Sequence, residues 1–397
     1  MIEEITLSNW KSFKQSKLYI EPLTFIIGYN ASGKSNILDA MTFLSRIATG
    51  MTLADAAKEV RGGDSWVIKQ GERDATLAVK VYEQDKSTYY DYQISFDSEC
   101  RIIDEFLTRT IVQGKRRYNK DLFKLSRNPG DTDLSLTLSV YTGKQGRKNV
   151  NVDRRKSVLY QLSMTTVQKE VTDGVNCVQD RLRNMFVLDP IPNLMRDYST
   201  LEVELKRDAS NIAGVIAGLA DNERTTVERR IAEKVRPLPE RDIMEVRTET
   251  VGMFRKDAML YCKELWVDGQ EGMLLDARGM SDGTLRFIAI VTALLLLPKG
   301  TLLLIEEVDN GLHPSRAKEL VSALKELGEE RGIDVLCTTH NPYLIDALGN
   351  EMISNISYVR RNTQTGASEI RLLDEHENLL TLMASGSIGA SMAEGRI

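Results

Sequence analysis

Gly28-Tyr29-Asn30-Ala31-Ser32-Gly33-Lys34-Ser35 sets two glycines, an ammonium and a hydroxyl at the spacing GxxxxGK[ST]. The apolar run KLYIEPLTFII leads into it. NILDAMTFLSRIA follows, with apolar residues at three and four spacing, so the segment reads as strand, loop and helix. Chemistry needs that context. Glycines let backbone N–H groups curl around phosphate oxygens, and a helix N-terminus adds partial positive charge. The candidate cradle is Gly28, Asn30, Ala31, Ser32, Gly33 and Asn36. Lys34 reaches the β- and γ-phosphates, and Ser35 offers a hydroxyl to Mg²⁺.

A second chemical group lies at TLLLIEE, residues 301–307. Its nearly continuous apolar run predicts a strand buried on both faces, as in a parallel sheet. Its two acids fall at the carboxyl end, where open α/β sheets bind ligands. Beside a nucleotide, Glu306 suits the metal and Glu307 suits the attacking water. His340 ends the strand DVLCTTH at the same kind of edge, placed to donate to a γ-phosphate. Ser281, Asp282 and Gly283 open a helix through residues 281–297. A plain N-cap accounts for them. A second anion-binding helix end also makes sense, if it closes on a nucleotide held by another subunit.

The elements that carry these groups are legible in outline. Residues 66–110 read as a meander of strands with one wet face. Residues 161–240 are helical and polar, punctuated by Pro190, Pro192, Pro237 and Pro239, without sustained heptads. From residue 301 a strand, a helix and a strand form a βαβ pattern. The expected division is 1–160, a first lobe with the phosphate loop and a β subdomain; 161–240, a helical insertion; and 241–397, a second lobe.

Composition bounds the classes. The chain has 397 residues, 52 Lys and Arg against 57 Asp and Glu, and 42% hydrophobic residues, which supplies a core. Four scattered Cys without CxxC spacing argue against a zinc module or disulfide scaffold, and fit a reducing cytoplasm. Three His far apart in sequence argue against a His-rich metal site. The polar opening MIEEITLSNWKSF does not read as a signal peptide. The apolar stretch 287–297 has 11 residues, too few to span a bilayer, so no membrane partner is expected. Residues 101–160 hold 14 basic against 6 acidic residues, a local +8 in a chain of net −5. That stretch suits a nucleic-acid backbone or an acidic protein, and a solvated strand face explains it equally. The tail LMASGSIGASMAEGRI reads either as a partner-docking segment or as a frayed terminus.

GYNASGKS, MSDGTLRF, LLLIEEVDNGLHP and TTHNP, in this order, resemble the ABC-type ATPase head. Within that class they are most similar to the SMC, RecF and OLD-like group and its stand-alone members in bacterial antiphage defence. LSNWKSF resembles the group's opening strand. The resemblance implies a P-loop α/β fold with a mixed central sheet, an antiparallel β subdomain and a short helical insertion. It implies ATP and Mg²⁺, and heads that dimerise, or assemble further, around ATP. On this pattern Glu306 and Glu307 are the Walker B pair, and His340 is the switch histidine. Ser281, Asp282 and Gly283 are the signature that touches the partner's γ-phosphate. Lys11 becomes a phosphate contact, and Gln161 the glutamine that joins Mg²⁺ to the first lobe. Asp282 stands where a glycine is common, Glu306 where an Asp is common, and His313 where many relatives carry the D-loop Asp.

Two roles are compatible with the resemblance. One is a sensor or regulator that controls a separately encoded effector, a nuclease in many such systems. The short stretch after TTHN carries no nuclease signature. The other role is a clamp acting directly on DNA.

Overall fold

The computed structural model describes residues 1–83, 86–126, 131–132, 134–237, 242–265, 272–377, 379 and 387–394. The chain divides into two compact units, 1–185 with 355–376, and 186–354 with 377–397. The cut falls inside the segment expected to be one helical insertion. Much of the tail lies outside the described residues, apart from a short helix at Ile388–Ala393.

The first unit carries an eight-stranded sheet in the order β2-β1-β4-β5-β6-β7-β8-β9. Its strands are β1 (Ile2–Ser8), β2 (Gln15–Tyr19), β4 (Asp74–Tyr82), β5 (Thr88–Asp97), β6 (Ile102–Gln113), β7 (Arg116–Ser126), β8 (Ser135–Tyr141) and β9 (Arg147–Asp153). Every pairing is antiparallel. Alternation builds one dry face: Leu77, Val79 and Val81 on β4, and Tyr90, Tyr92, Ile94 and Phe96 on β5, are all buried. Helices α1 (Lys34–Ala48) and α4 (Lys169–Arg183) pack there, with Phe43 of α1 5.2 Å from Phe96, ring to ring. Gly174 lets α4 approach, because a Cβ at that position would sit 2.4 Å from Leu122. Helices α2 (Leu53–Lys58) and α3 (Val158–Ser163) complete this layer. A separate element, β3 (Leu23–Ile27), pairs in parallel with β17 (Ile356–Arg361), which pairs antiparallel with β18 (Ser368–Leu372).

The second unit holds β10 (Met185–Leu188, its last three residues here), α5 (Pro192–Met195), β11 (Ser199–Thr200), α6 (Ile212–Ala217) and α7 (Asp221–Val235). A sheet follows, with β13 (Asp257–Leu265) between β11 and β12 (Asp242–Val251), and with β14 (Met273–Asp276) also paired to β13. The helix α8 (Asp282–Leu296) is buried on nearly every side from Gly283 to Leu295. The apolar stretch is therefore a core helix, and among the described residues no helix is long and apolar enough to cross a membrane. The strands β15 (Leu302–Ile305) and β16 (Asp334–Thr339) run in parallel around α9 (Ala317–Arg331), and α10 (Pro342–Leu348) follows.

One buried charge fastens the β sheet to its helices. Glu105 of β6 is fully buried. It accepts from Tyr92 Oη at 2.9 Å, Ser157 Oγ at 3.3 Å, and the N–H groups of Val158 (2.8 Å) and Leu159 (3.0 Å) at the start of α3. Burial pushes this carboxyl up to about 7, while the four donors pull it down. Between its ordinary value and about 7 the folded chain holds a proton that the unfolded chain has lost. Stability from this group is therefore complete below the ordinary carboxyl range and falls as pH rises towards 7, then levels off. The change is on the order of 3 kcal/mol. Urea midpoints of wild type and Glu105→Gln across pH 4.5–8 test this (roughly the window of the shift): the difference between them should carry that slope, and parallel profiles would refute it.

Candidate active site

The phosphate loop is shaped by what lies against it. Gly28 has φ 150°, and a Cβ there would stand 2.4 Å from the Val359 carbonyl of β17. Gly33 has φ 118°, with the Ser368 and Ser12 hydroxyls closing in on its open side. Both positions need glycine. Arg361 donates to the Ala31 carbonyl at 3.1 Å and Ser368 Oγ to the Ser32 carbonyl, so β17 and β18 staple the loop's outward carbonyls. Ala31 itself holds φ 61°. Asn36 Nδ2 donates to Ser12 Oγ at 2.8 Å, and Trp10 Nε1 to the Asn36 carbonyl at 2.8 Å. The opening segment thereby fixes the first turn of α1.

Within this frame Lys34 is 7% exposed and folds its ammonium onto the Gly28 and Tyr29 carbonyls at 2.6 and 3.0 Å. Ser32 Oγ is buried with no hydrogen-bond partner among the described residues. An orphaned buried hydroxyl, two glycines without Cβ and a buried ammonium are what an anionic phosphate chain would satisfy. Ser35 and Asn36 open into a cavity of about 450 Å³ that Lys11, Asp39, Arg61 and Trp66 also line. Lys11 lies in it, but its ammonium is held by Asp39 at 2.6 Å and the Arg61 carbonyl at 2.7 Å. Arg61 Nε also donates to Asp39, at 3.1 Å. Trp66 is 61% exposed.

The second unit supplies the other chemical groups. Glu307 follows β15 with φ 45°, a strained value for a residue with a side chain. Its N–H donates to Thr338 Oγ1 at 2.9 Å, and the Val308 N–H to the Thr338 carbonyl at 3.1 Å. Thr339 Oγ1 donates to Asp309 at 2.7 Å. The end of β16 thus fixes the loop that aims the Glu307 carboxylate, and His340 Nδ1 stands 3.7 Å from its Oε1. Both side chains are partly open to solvent. Ser281 caps α8 by accepting from the Thr284 N–H at 3.1 Å. Asp282 is paired with Arg196 at 2.6 Å. A Cβ on Gly283 would stand 2.6 Å from the Gly311 carbonyl, so the start of α8 rests on the loop after β15. His313 caps the next turn, its Nδ1 accepting from the Ser315 N–H at 3.3 Å.

Comparison with known proteins agrees with this geometry. Residues 1–186 match the family described as "AAA ATPase domain". Residues 201–346 match "AAA domain, putative AbiEii toxin, Type IV TA system". The chain is 22% identical over 365 residues to the Old nuclease of Escherichia phage P2, covering 87% of this chain and 57% of that protein. It is 32% identical over 82 residues to the DNA replication and repair protein RecF of Arthrobacter sp. (strain FB24), covering 17% of this chain and 20% of RecF. It thus spans about half or less of the length of these curated relatives. The SMC head bound to the C-winged helix domain of ScpA superposes with a TM-score of 0.52 at 16% identity, over 93% of this chain and 96% of that one. The Smc head with an extended coiled coil, bound to the C-terminal domain of ScpA derived from Pyrococcus furiosus, gives 0.50 at 15%, over 96% and 99%. Its two parts thus match ATPase domain families, its fold is that of an SMC head, and its motifs resemble the SMC, RecF and OLD group.

One expected site residue is reassigned. Gln161 does not serve a metal: its Oε1 accepts from the Asp153 N–H at 2.9 Å, and its Nε2 donates to the carbonyls of Asp153 (2.9 Å) and Lys156 (2.7 Å). The amide is consumed by its own neighbourhood, and it lines a different cavity from Ser35. Among the described residues no cluster of three or more His, Cys, Asp or Glu is placed for a metal. Mg²⁺ bound with a nucleotide needs less, because water and phosphate oxygens complete its shell. In the first unit the Ser35 hydroxyl, and in the second the Glu306 carboxylate, are each a hard oxygen donor.

Trp66 and Arg61 escaped sequence reading. The signal was an aromatic in the short glycine-bearing loop RGGDSW, away from every motif. An exposed indole beside a cavity next to the phosphate loop suits the nucleotide's base. Trp66→Ala is expected to weaken ATP binding about tenfold, in line with aromatic stacking on a base. Titration with a fluorescent ATP analogue checks this, and unchanged affinity would remove Trp66 from the site.

Proposed function

We propose that this ATPase binds and hydrolyses ATP as one half of a cytoplasmic homodimer and acts as the sensor subunit of a bacterial antiphage system, controlling a separately encoded effector of nuclease type. Glu307 supports hydrolysis over binding alone, since a strained backbone is retained where it aims a carboxylate beside His340. In the proposed step the Glu307 carboxylate accepts a proton from water as the water oxygen attacks the γ-phosphorus. The bond from that phosphorus to the ADP oxygen breaks, giving ADP and phosphate. Lys34 and His340 offset charge on the transferring group. Ser35 and Glu306 are the residues that would hold Mg²⁺, which when bound would supply neutralisation of phosphate charge. Ser281 and Gly283, at the start of α8, close on the nucleotide of the other copy. The defence reading is supported by the AbiEii-type match over residues 201–346 and by the similarity to Old nuclease.

A second reading, a clamp acting on DNA, is favoured by the 82-residue similarity to RecF and by the basic stretch 101–160. A gel shift with and without a non-hydrolysable ATP analogue separates the two. ATP-dependent DNA binding by the isolated chain supports the clamp. A stable complex with a neighbouring gene product, formed without DNA, supports the sensor.

Glu307→Gln should lower the ATPase rate by about a hundredfold or more, as expected for loss of a general base, and accumulate an ATP-bound dimer on gel filtration. Lys34→Ala should lose ATP binding itself. Wild-type turnover by Glu307→Gln would overturn the assignment of the base.

A further inference from the structure

The eight-stranded sheet ends at β9, and that edge is only partly closed. In the β8–β9 ladder the Thr142 N–H reaches the Gly146 carbonyl at 2.9 Å and the Arg154 N–H the Leu134 carbonyl at 3.1 Å. Alternation along the ladder then turns the N–H and C=O of Arg147, Asn149, Asn151 and Asp153 away from β8. Asp153 confirms the phase, because both of its outward groups bond to the amide of Gln161 at 2.9 Å. Gln161 thereby imitates one residue of a further strand. Beyond it, no described residue bonds the outward N–H or C=O of Asn149 or Asn151, and both residues are exposed.

Beside this open edge lies a cavity of about 370 Å³, and its lining residues are all in the first unit. Val150 and Val152 of β9 line it together with Leu162 and Val167. Lys148 stands at its rim, exposed, on the same face of β9, and no acidic residue lines it. The neighbouring hairpin adds Lys144 and Arg147. Of the other basic residues of the +8 stretch, Arg101, Arg109, Lys120, Lys124, Arg154 and Arg155 each stand within ion-pair distance of a carboxylate, whereas Lys115, Arg116 and Arg117, at the far β6–β7 hairpin, and Lys156 have no such partner among the described residues. Lys144 and Lys148 have no such partner among the described residues.

We propose that β9 is a docking edge for an extended, acidic segment of a partner protein. Such a segment would add as a ninth strand, bonding Asn149 and Asn151, and would set alternate apolar side chains into the cavity. Its acids would face Lys144 and Lys148. A nucleic acid offers neither strand-forming N–H groups nor small apolar side chains, so the open ladder and apolar floor favour protein. A second copy of β9 would bring like charges along the same ladder, which edge strands use to avoid pairing with themselves. The edge shares no lining residue with the phosphate-loop cavity, so the proposal stands or falls separately from ATP hydrolysis.

The probe is a fluorescein-labelled, end-capped decapeptide alternating valine and threonine, with aspartates at both ends. Anisotropy should report micromolar binding to the full chain, unchanged in Lys34→Ala. Exchange of the Asn149 and Asn151 amide hydrogens should slow when it binds. Asn151→Pro removes one outward N–H without touching the β8 ladder, and Val167→Glu puts a negative charge into the cavity. Each should weaken binding about tenfold or more, equal to about 1.4 kcal/mol, with unchanged circular dichroism. Absence of binding up to about 1 mM, wild-type affinity in both variants, or dimerisation through β9 that Asn151→Pro abolishes would each overturn the proposal.

Discussion

The catalytic half of the first unit depends on a near-contact between two backbones. Gly28 passes so close beneath the Val359 carbonyl that a single methyl group would collide with it. That approach is possible only because Gly28 has no Cβ and adopts φ 150°. Everything else about the loop follows from it. With β17 pressed against Gly28, Arg361 and Ser368 can reach the carbonyls of Ala31 and Ser32 and hold them outward. The loop's shape is thus written partly in residues more than 300 positions downstream.

The second unit applies the same logic to a side chain. Glu307 is forced into a left-handed backbone conformation, and the compensation is visible as hydrogen bonds from its own N–H and that of Val308 to Thr338. A relaxed backbone would turn the carboxylate elsewhere. Gly283 against the Gly311 carbonyl then ties the start of α8 to this loop. A change in the loop after β15 would therefore be felt at Ser281 and Asp282 without any long-range pathway, since the two backbones touch.

The sequence disclosed those parts of the site that local backbone geometry dictates. GxxxxGK[ST] between strand and helix, a buried strand ending in acids, and a Ser at a helix start each carry a physical requirement within a few residues. The parallel pairs and the antiparallel meander were legible for the same reason: periodicity reports burial. What remained hidden was set by distant partners. Trp66 carries only the weak mark of an aromatic in a glycine-bearing loop, because its cavity is assembled from Lys11, Ser35 and Arg361. Gln161 misled in the opposite sense: a glutamine after the β subdomain fits a metal contact, yet its amide completes the edge of β9. The division into units was equally opaque, since α3 and α4 look like an insertion in sequence but pack beneath the sheet through Glu105 and Gly174.

The basic stretch carries the same lesson for charge. Counted along the chain, residues 101–160 are a strong positive block. In the folded unit Arg109 and Lys120 converge on Glu170, a residue outside the block, while Arg101 and Arg154 pair with Glu99 and Asp97 just before it. Much of the excess is therefore spent on the unit's own cohesion. What is left sits at Lys115, Arg116 and Arg117 of the β6–β7 hairpin, at Lys144 and Arg147, at Lys148 on the rim of one cavity and at Lys156, so the effective positive surface is smaller than the composition implies. A partner drawn by charge alone would find little beyond those tips, whereas one that also bonds an open strand would gain directional contacts that salt does not screen.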